Sequence, residues 1–197
     1  MRFRLGITGG IGSGKSTICK VFNVLGIPVF LSDDEARVIM DGDPVVREEL
    51  NKIVGFKIYE SKGLDRPKLA EIIFNDAFIL EKVNQLVHPR VLNAFNNWTD
   101  KQDSEYVILE TALLLESKID WRIDRILAVI APIEERILRV MDRNSMSRDQ
   151  VLERIKNQVS ENEMIRRSDY VINNADSDMI IPDLIRIHND ILNIIKN

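Results

Sequence analysis

Gly9-Gly10-Ile11-Gly12-Ser13-Gly14-Lys15-Ser16 is the stretch that decides the fold. It satisfies G-x-x-x-x-G-K-[ST] at every position and lies between a strand-like run and a helix-like run. Chemistry dictates the spacing. Glycines let the backbone wrap a phosphate and aim its N–H groups inward, and the N-terminus of the following helix adds the positive end of its dipole. Lys15 supplies a point charge for the β- and γ-phosphates, and the Ser16 hydroxyl suits Mg²⁺. Gly10, Ile11, Gly12, Ser13, Gly14, Lys15, Ser16 and Thr17 are therefore expected to hold ATP, with Mg²⁺ beside it. The alternative, a glycine-rich turn without a ligand, is disfavoured because the motif is complete and its flanks fit.

Working outward, Phe3 to Thr8 reads as a buried strand, and Ile18, Val21, Phe22 and Leu25 are spaced as one face of a helix. Gly26 and Pro28 end that helix. Val29 to Leu31 is a second strand, running straight into the acidic Asp33-Asp34-Glu35 of the next helix. Strand, helix and strand in this order make a βαβ unit with parallel strands. Residues from Asp43 to about Asp103 are mostly helical, punctuated by Gly55, Gly63 and Pro67, and are too long for a simple connection. Strand signals return at Tyr106 to Leu109, Arg125 to Ile130 and Tyr170 to Ile172. Pro132 opens a helix running to about Arg143, Ser147 with Gln150 resembles a capping box, and Leu184, Ile187, Ile191 and Ile194 mark a C-terminal helix. The predicted class is α/β: a three-layer P-loop NTPase fold with a parallel central sheet. It is expected to form one domain with a core (about 1–42, 104–138 and 167–197), a helical insertion (about 43–103) and a helical lid (about 139–166).

Composition narrows the partners. Of 197 residues, 45% are hydrophobic and 29% charged, enough apolar material for a core of this size. Net charge is 27 − 31 = −4, so no overall basic field recruits nucleic acid, and an anionic ligand must be held by local basic groups. Cys19 is the only cysteine, which rules out an intramolecular disulfide and a cysteine-rich zinc site; among apolar neighbours it reads as a packing thiol. No apolar run is long enough to span a membrane, and strand-like sequence from Phe3 leaves no room for a targeting segment, so a cytoplasmic protein is expected.

Three further features bear on chemistry. Asp33 falls just beyond the end of the second strand, where open α/β sheets bind ligands, and either accepts a proton or orients Mg²⁺ there, or, with Asp34, caps the next helix. Glu110 has the same two-sided status as a metal-side carboxylate. Arg136, Arg139 and Arg143, at i, i+3 and i+7, share a helix face suited to an anionic phosphoryl group; the alternative is a solvated face with Glu135 beside Arg139. A guanine-reading Asn-Lys-x-Asp is missing, since Asn51-Lys52-Ile53-Val54 lacks the aspartate, as is a Leu-Ser-Gly-Gly transporter signature. A small nucleotide-dependent kinase fits these absences.

The assembled residues resemble dephospho-coenzyme A kinases over essentially the whole chain. The similarity is carried by Gly6-Ile7-Thr8 through Thr17, Leu25-Gly26, Ser32-Asp33 through Ala36-Arg37, Gly63-Leu64-Asp65-Arg66 with Leu69 and Ile73-Phe74, and His88-Pro89. It continues in Ala112-Leu113-Leu114-Leu115-Glu116, Arg139 with Arg143, Gln158, and Asp169 through Asn174. Leu31 stands where the family has the first of two aspartates, Ala112 where it has a proline, Leu115 where it has a phenylalanine, and Asn144 where an aspartate is usual. The resemblance implies transfer of the ATP γ-phosphoryl group to the ribose 3′-hydroxyl of dephospho-coenzyme A, the last step of coenzyme A biosynthesis. It implies Asp33 as general base and metal-side group with Ser16, Lys15 and Arg143 as catalytic, and Arg139 and Asn174 near the nucleotide. Thr8, Arg37, Arg66, His88, Leu113 and Leu114 fall to the acceptor, with a structural role for His88 kept open. A monomer or weak homo-oligomer is expected. Two alternatives stay open: another small P-loop kinase, acting on a nucleoside monophosphate or hydroxylated metabolite, and a nucleotide-switched binding module.

Overall fold

A computed structural model of the chain describes residues 2–61, 63–115 and 121–197. Glu116, the last residue of the Ala112-to-Glu116 run, lies outside the described residues. The chain divides into two compact units, one comprising residues through Phe30 together with Thr99–Asn197, the other Leu31–Trp98.

The first unit is built on a five-stranded sheet of β1 (Phe3–Gly9), β2 (Val29–Leu31), β5 (Tyr106–Glu110), β6 (Arg125–Ile130) and β7 (Tyr170–Asn173), in the order β2-β5-β1-β6-β7. Pairing is parallel on both sides of β1: Leu5 lies opposite Ile108 in β5 and Arg125 in β6. β6 also pairs parallel with β7, Val129 opposite Ile172. Central strands of such a sheet are covered on both faces, so they read as unbroken apolar runs, and every residue of β5 is buried.

Side chains of period two divide the core into two sides. Leu127 and Val129 of β6 pack on one face with Leu5 and Ile7 of β1, Ile18 and Phe22 of α1 (Lys15–Val24), and Leu184, Ile187 and Ile191 of α9 (Ile181–Lys196). Ala128, between them, joins Leu115 and Met164 of α8 (Glu161–Arg166) on the other. Helix α6 (Ile133–Asn144) and α7 (Arg148–Lys156) share a separate cluster of Ile137, Val140 and Val151, with Ile11 of the P-loop packed against it. Helix–sheet–helix layering with a parallel sheet is the fold expected from the sequence.

The second unit contains α2 (Ser32–Gly42), α3 (Pro44–Val54), a two-stranded antiparallel hairpin of β3 (Tyr59–Glu60) and β4 (Gly63–Leu64), α4 (Arg66–Asn75) and nearly all of α5 (Ala77–Asp100). Local chemistry sets its breaks. Asp43 accepts the N–H groups of Val45 and Val46 to start α3, Gly55 ends it with a left-handed φ of 81°, and Asp65 caps α4 through Lys68 N–H. Pro89 lies inside α5. The His88-Pro89 pair is thus helical and not a turn, although proline has no N–H to donate to the Gln85 carbonyl one turn back; Arg90 Nη1 donates separately to the Leu86 carbonyl at 2.6 Å.

Candidate active site

The P-loop joins β1 to α1, and its glycines are demanded by contact as well as by φ. Gly12 and Gly14 have φ of 78° and 93°, where a side chain is strained. A Cβ on Gly9 would come within 2.4 Å of the Val129 carbonyl, on Gly10 within 2.1 Å of Arg136 Nη2, and on Gly14 within 2.0 Å of Asn174 Nδ2. The loop is thus pressed between the ends of β6 and β7 and the flank of α6. Its outer turn is closed by Ser13 N–H donating to the Gly10 carbonyl at 3.1 Å.

Helix α1 begins at Lys15 without a side-chain cap and without an acidic residue in its first turn. Its leading N–H groups therefore keep their partial positive charge for an external anion. Lys15 Nζ donates to the Gly9 carbonyl at 2.8 Å and lies 4.0 Å from a carboxylate oxygen of Glu110, both side chains nearly enclosed. Ser16 and Thr17 are exposed on the same turn. Thr8 and Ser13 are buried, and neither hydroxyl has a hydrogen-bond partner among the described residues. Cys19, one turn into α1, is buried; desolvation pushes its thiol up to about 12, with the Glu110 charge acting in the same direction and Lys15 against it.

Arginines of α6 meet different surroundings. Arg136 is buried, its Nε donates to the Ile11 carbonyl at 3.0 Å, and its Nη1 lies 4.0 Å from Glu161. Desolvation lowers its pKa, with Glu161 opposing. Arg139 contacts Glu135 at 3.0 Å, Asp176, and the Asn174 carbonyl at 2.9 Å. Glu135 thus does accompany Arg139, and the partly buried Arg139 also reaches backbone at Asn174, beside the P-loop. Arg143, at the exposed end of α6, donates from Nε to Asn144 Oδ1. Asn174 donates from Nδ2 to the Ser13 carbonyl at 2.8 Å, and Gln158 Oε1 accepts Ile11 N–H at 2.8 Å. A cavity of about 380 Å³ beside the loop is lined by Gly10, Ile133, Arg136, Gln158, Glu161 and Met164, among others. Leu113 is exposed, whereas Leu114 is buried against Gly6.

In the second unit, Asp33 and Asp34 occupy the first turn of α2, whose N-cap is Leu31, and no side-chain hydrogen bond caps that helix. The capping role weighed for these aspartates is therefore not the one they play. Asp34 pairs with Arg37 at 2.9 Å, while Asp33 is exposed and makes no side-chain hydrogen bond among the described residues. Arg66 Nη2 donates to the Arg37 carbonyl at 3.3 Å and to Asp41 at 2.6 Å, so Arg37 and Arg66 stand together. His88 is half-buried, and desolvation lowers its pKa. The grip of Arg136, Gln158 and Asn174 on the loop was not read from the sequence. These contacts join residues more than a hundred positions apart, and the only local signal was the arginine spacing, which says where a side chain leaves its helix and not what it meets.

A P-loop on a parallel sheet, with a bare helix N-terminus and arginines along its flank, defines the class as a P-loop NTPase fold, one that carries several different reactions. The dephospho-CoA kinase (CoaE) family model matches residues 3–179, and the chain belongs to that family. It is 36% identical over 188 residues to the dephospho-CoA kinase of Bacteroides fragilis, covering 95% of this chain and 92% of the relative. The crystal structure of TT1252 from Thermus thermophilus superposes with a TM-score of 0.82 at 34% identity, covering 97% and 96% of the two chains. Dephospho-CoA kinase from Campylobacter jejuni shares the fold, with a TM-score of 0.69 at 21% identity over 97% and 98%. The activity is accordingly ATP-dependent phosphorylation of dephospho-CoA, which completes coenzyme A.

Proposed function

We propose that the P-loop amides, Lys15 and the α1 N-terminus hold the ATP phosphates, and that Asp33 takes the proton of the acceptor 3′-hydroxyl as it attacks the γ-phosphorus. The observation that carries the nucleotide half is the uncapped, acid-free start of α1 behind a glycine cradle. Asp33 is suited to its part because its carboxylate is exposed and uncommitted, whereas its neighbour Asp34 is neutralised by Arg37. Arg143, with Arg139, neutralises charge on the transferring phosphoryl group; Arg143 carries no carboxylate partner among the described residues. Phosphoryl transfer asks little covalent work of the protein, so positioning and charge stabilisation dominate.

Residues 43–103 form the acceptor-binding insertion in this reading, with Arg37 and Arg66 on the acceptor phosphates and Thr8, His88, Leu113 and Leu114 lining its path. Residues 139–166 act as a lid that excludes water, the competing acceptor. Asn174 stands on the nucleotide side through its bond to Ser13. Mg²⁺ fits the donor chemistry: the exposed Ser16 hydroxyl and the Asp33 carboxylate are hard oxygen ligands, and this ion takes one or two protein oxygens beside substrate phosphates. When bound it supplies charge neutralisation at the β- and γ-oxygens. We place the enzyme in the cytoplasm as a monomer or weak homo-oligomer that has no use for nucleic acid. No helix among the described residues is long and apolar enough to cross a membrane.

Asp33→Asn tests the central role. It is expected to lower kcat by about 100-fold or more while ATP binding is retained. Turnover near that of the unaltered enzyme would remove Asp33 as the base.

A further inference from the structure

The outer turn of the P-loop has two available forms. Gly10 to Ser13 is closed by the Ser13-to-Gly10 hydrogen bond, and Gly12, at its third position, has φ of 78°. That is the type II form, in which the central peptide carries the Ile11 carbonyl and the Gly12 N–H. The type I form keeps the same closing bond with this peptide turned over by about half a rotation. Glycine accepts either sign of φ, so Gly12 itself does not choose between them.

The choice is made from outside the loop. Arg136 Nε holds the Ile11 carbonyl at 3.0 Å, and Gln158 Oε1 holds the preceding N–H, that of Ile11, at 2.8 Å. The Ile11 side chain is packed into the α6–α7 cluster. Arg136 is fixed in turn: it is only 8% exposed, and Glu161 stands 4.0 Å from its far end. N–H and C=O of a trans peptide point in opposite directions. With its carbonyl drawn onto Arg136, the peptide directs the Gly12 N–H away from α6.

We propose that Arg136 is a positioning residue that locks the Gly10–Ser13 turn in the type II form, so that the Gly12 N–H faces the nucleotide phosphates, with Gln158 anchoring the residue before it. Released, the peptide turns over and presents the Ile11 carbonyl to the phosphates, exchanging a donor for an acceptor. This distinguishes Arg136 from the exposed Arg143, which bonds only its neighbour Asn144 among the described residues: Arg136 is buried, and its task is a hydrogen bond to the backbone of the loop. The inference rests on the P-loop holding the ATP phosphates.

Side-chain length provides the test. In glutamine the Nε2 donor is as many bonds from Cα as Nε is in arginine, so Arg136→Gln keeps the bond to Ile11 without the charge. Arg136→Met places a methyl group there, and Arg136→Lys keeps the charge but moves the donor one atom farther out. ATP binding to each full-length variant is measured by calorimetry, with KM for dephospho-CoA in parallel. The lock predicts that Arg136→Gln binds ATP within about threefold of the unaltered enzyme, since the neutral donor preserves the bond. It predicts that Arg136→Met and Arg136→Lys lose about tenfold or more, the cost of turning a donor away from a phosphate. KM for the acceptor should stay level throughout. If glutamine and methionine lose affinity equally while lysine retains it, the charge matters and the lock is wrong; if none loses affinity, it is wrong as well. The lysine and glutamine pair decides the matter even should the methionine variant fail to fold. Lys15→Ala in the same titration separates the two levels: its loss of affinity with a flat Arg136 series overturns the lock alone, whereas its retention of full affinity overturns the P-loop reading too.

Discussion

Arg139 and Arg143 leave the same helix one turn apart, yet their partners differ. Two carboxylates, Glu135 and Asp176, already neutralise Arg139, while Arg143 bonds only the neutral Asn144 among the described residues. Arg143→Ala should therefore reduce kcat more than ATP affinity, the pattern of a contact strengthened in the transition state; an effect confined to affinity would make it a ground-state clamp. Cys19, with its thiol pushed up to about 12 by burial, should resist a thiol reagent at pH 8 in the folded enzyme and react fully in denaturant. Labelling of native protein at the denatured rate would contradict that burial. At this scale the sequence was legible wherever chemistry is local. Lys15, Ser16 and the glycines carry their meaning in their spacing, and the apolar neighbours of Cys19 announced its burial. Arg136 was illegible beyond its helix face, because its partner Ile11 is reached only through the fold.

Elements were legible where one residue decides a boundary. The second strand was read at Val29 to Leu31 and is found there, since Gly26 and Pro28 before it and acidic residues after it mark both ends. The capping box of Ser147 and Gln150 is formed in both directions, Ser147 Oγ accepting Gln150 N–H and Gln150 Oε1 accepting Ser147 N–H. Ser147→Ala should then destabilise the enzyme by about 1 kcal/mol in urea unfolding, with Ser147→Asn recovering most of it. No change on removing the hydroxyl would mean that α7 is held by Val151 and its packing alone. Two features escaped local reading. The β3–β4 hairpin is two residues per strand, too short for any alternation to register. Pro89 breaks a helix in most settings, and α5 runs through it with Val83, Val87, Val91 and Phe95 buried along one side.

Across the whole molecule, the parallel sheet was foreseeable from strand–helix–strand order and handedness, whereas the order of its strands was not. One consequence of burial reaches the whole enzyme through proton linkage. His188 Nδ1 lies 2.8 Å from the Tyr106 hydroxyl against the sheet, and desolvation lowers the His188 pKa, as it does that of His88. In the unfolded chain both titrate near pH 6.5, at about the ordinary histidine value. Below that pH the unfolded state binds protons that the folded state refuses, so these groups' contribution is full above it and lost as pH falls towards the folded pKa. Urea midpoints should drop between pH 7.5 and 5.5, and His188→Asn should drop less over the same interval. An equal drop in both would show that His188 takes no part.

The enzyme as a whole turns its nucleotide over for a particular acceptor and not as a timer. ADP release with Mg-ATP, measured with and without dephospho-CoA and with the product weighed by mass spectrometry, tests it most directly. The expected result is a rate that depends strongly on the acceptor, and a product heavier by one phosphoryl group and identical to coenzyme A. Slow ADP release indifferent to dephospho-CoA would contradict it.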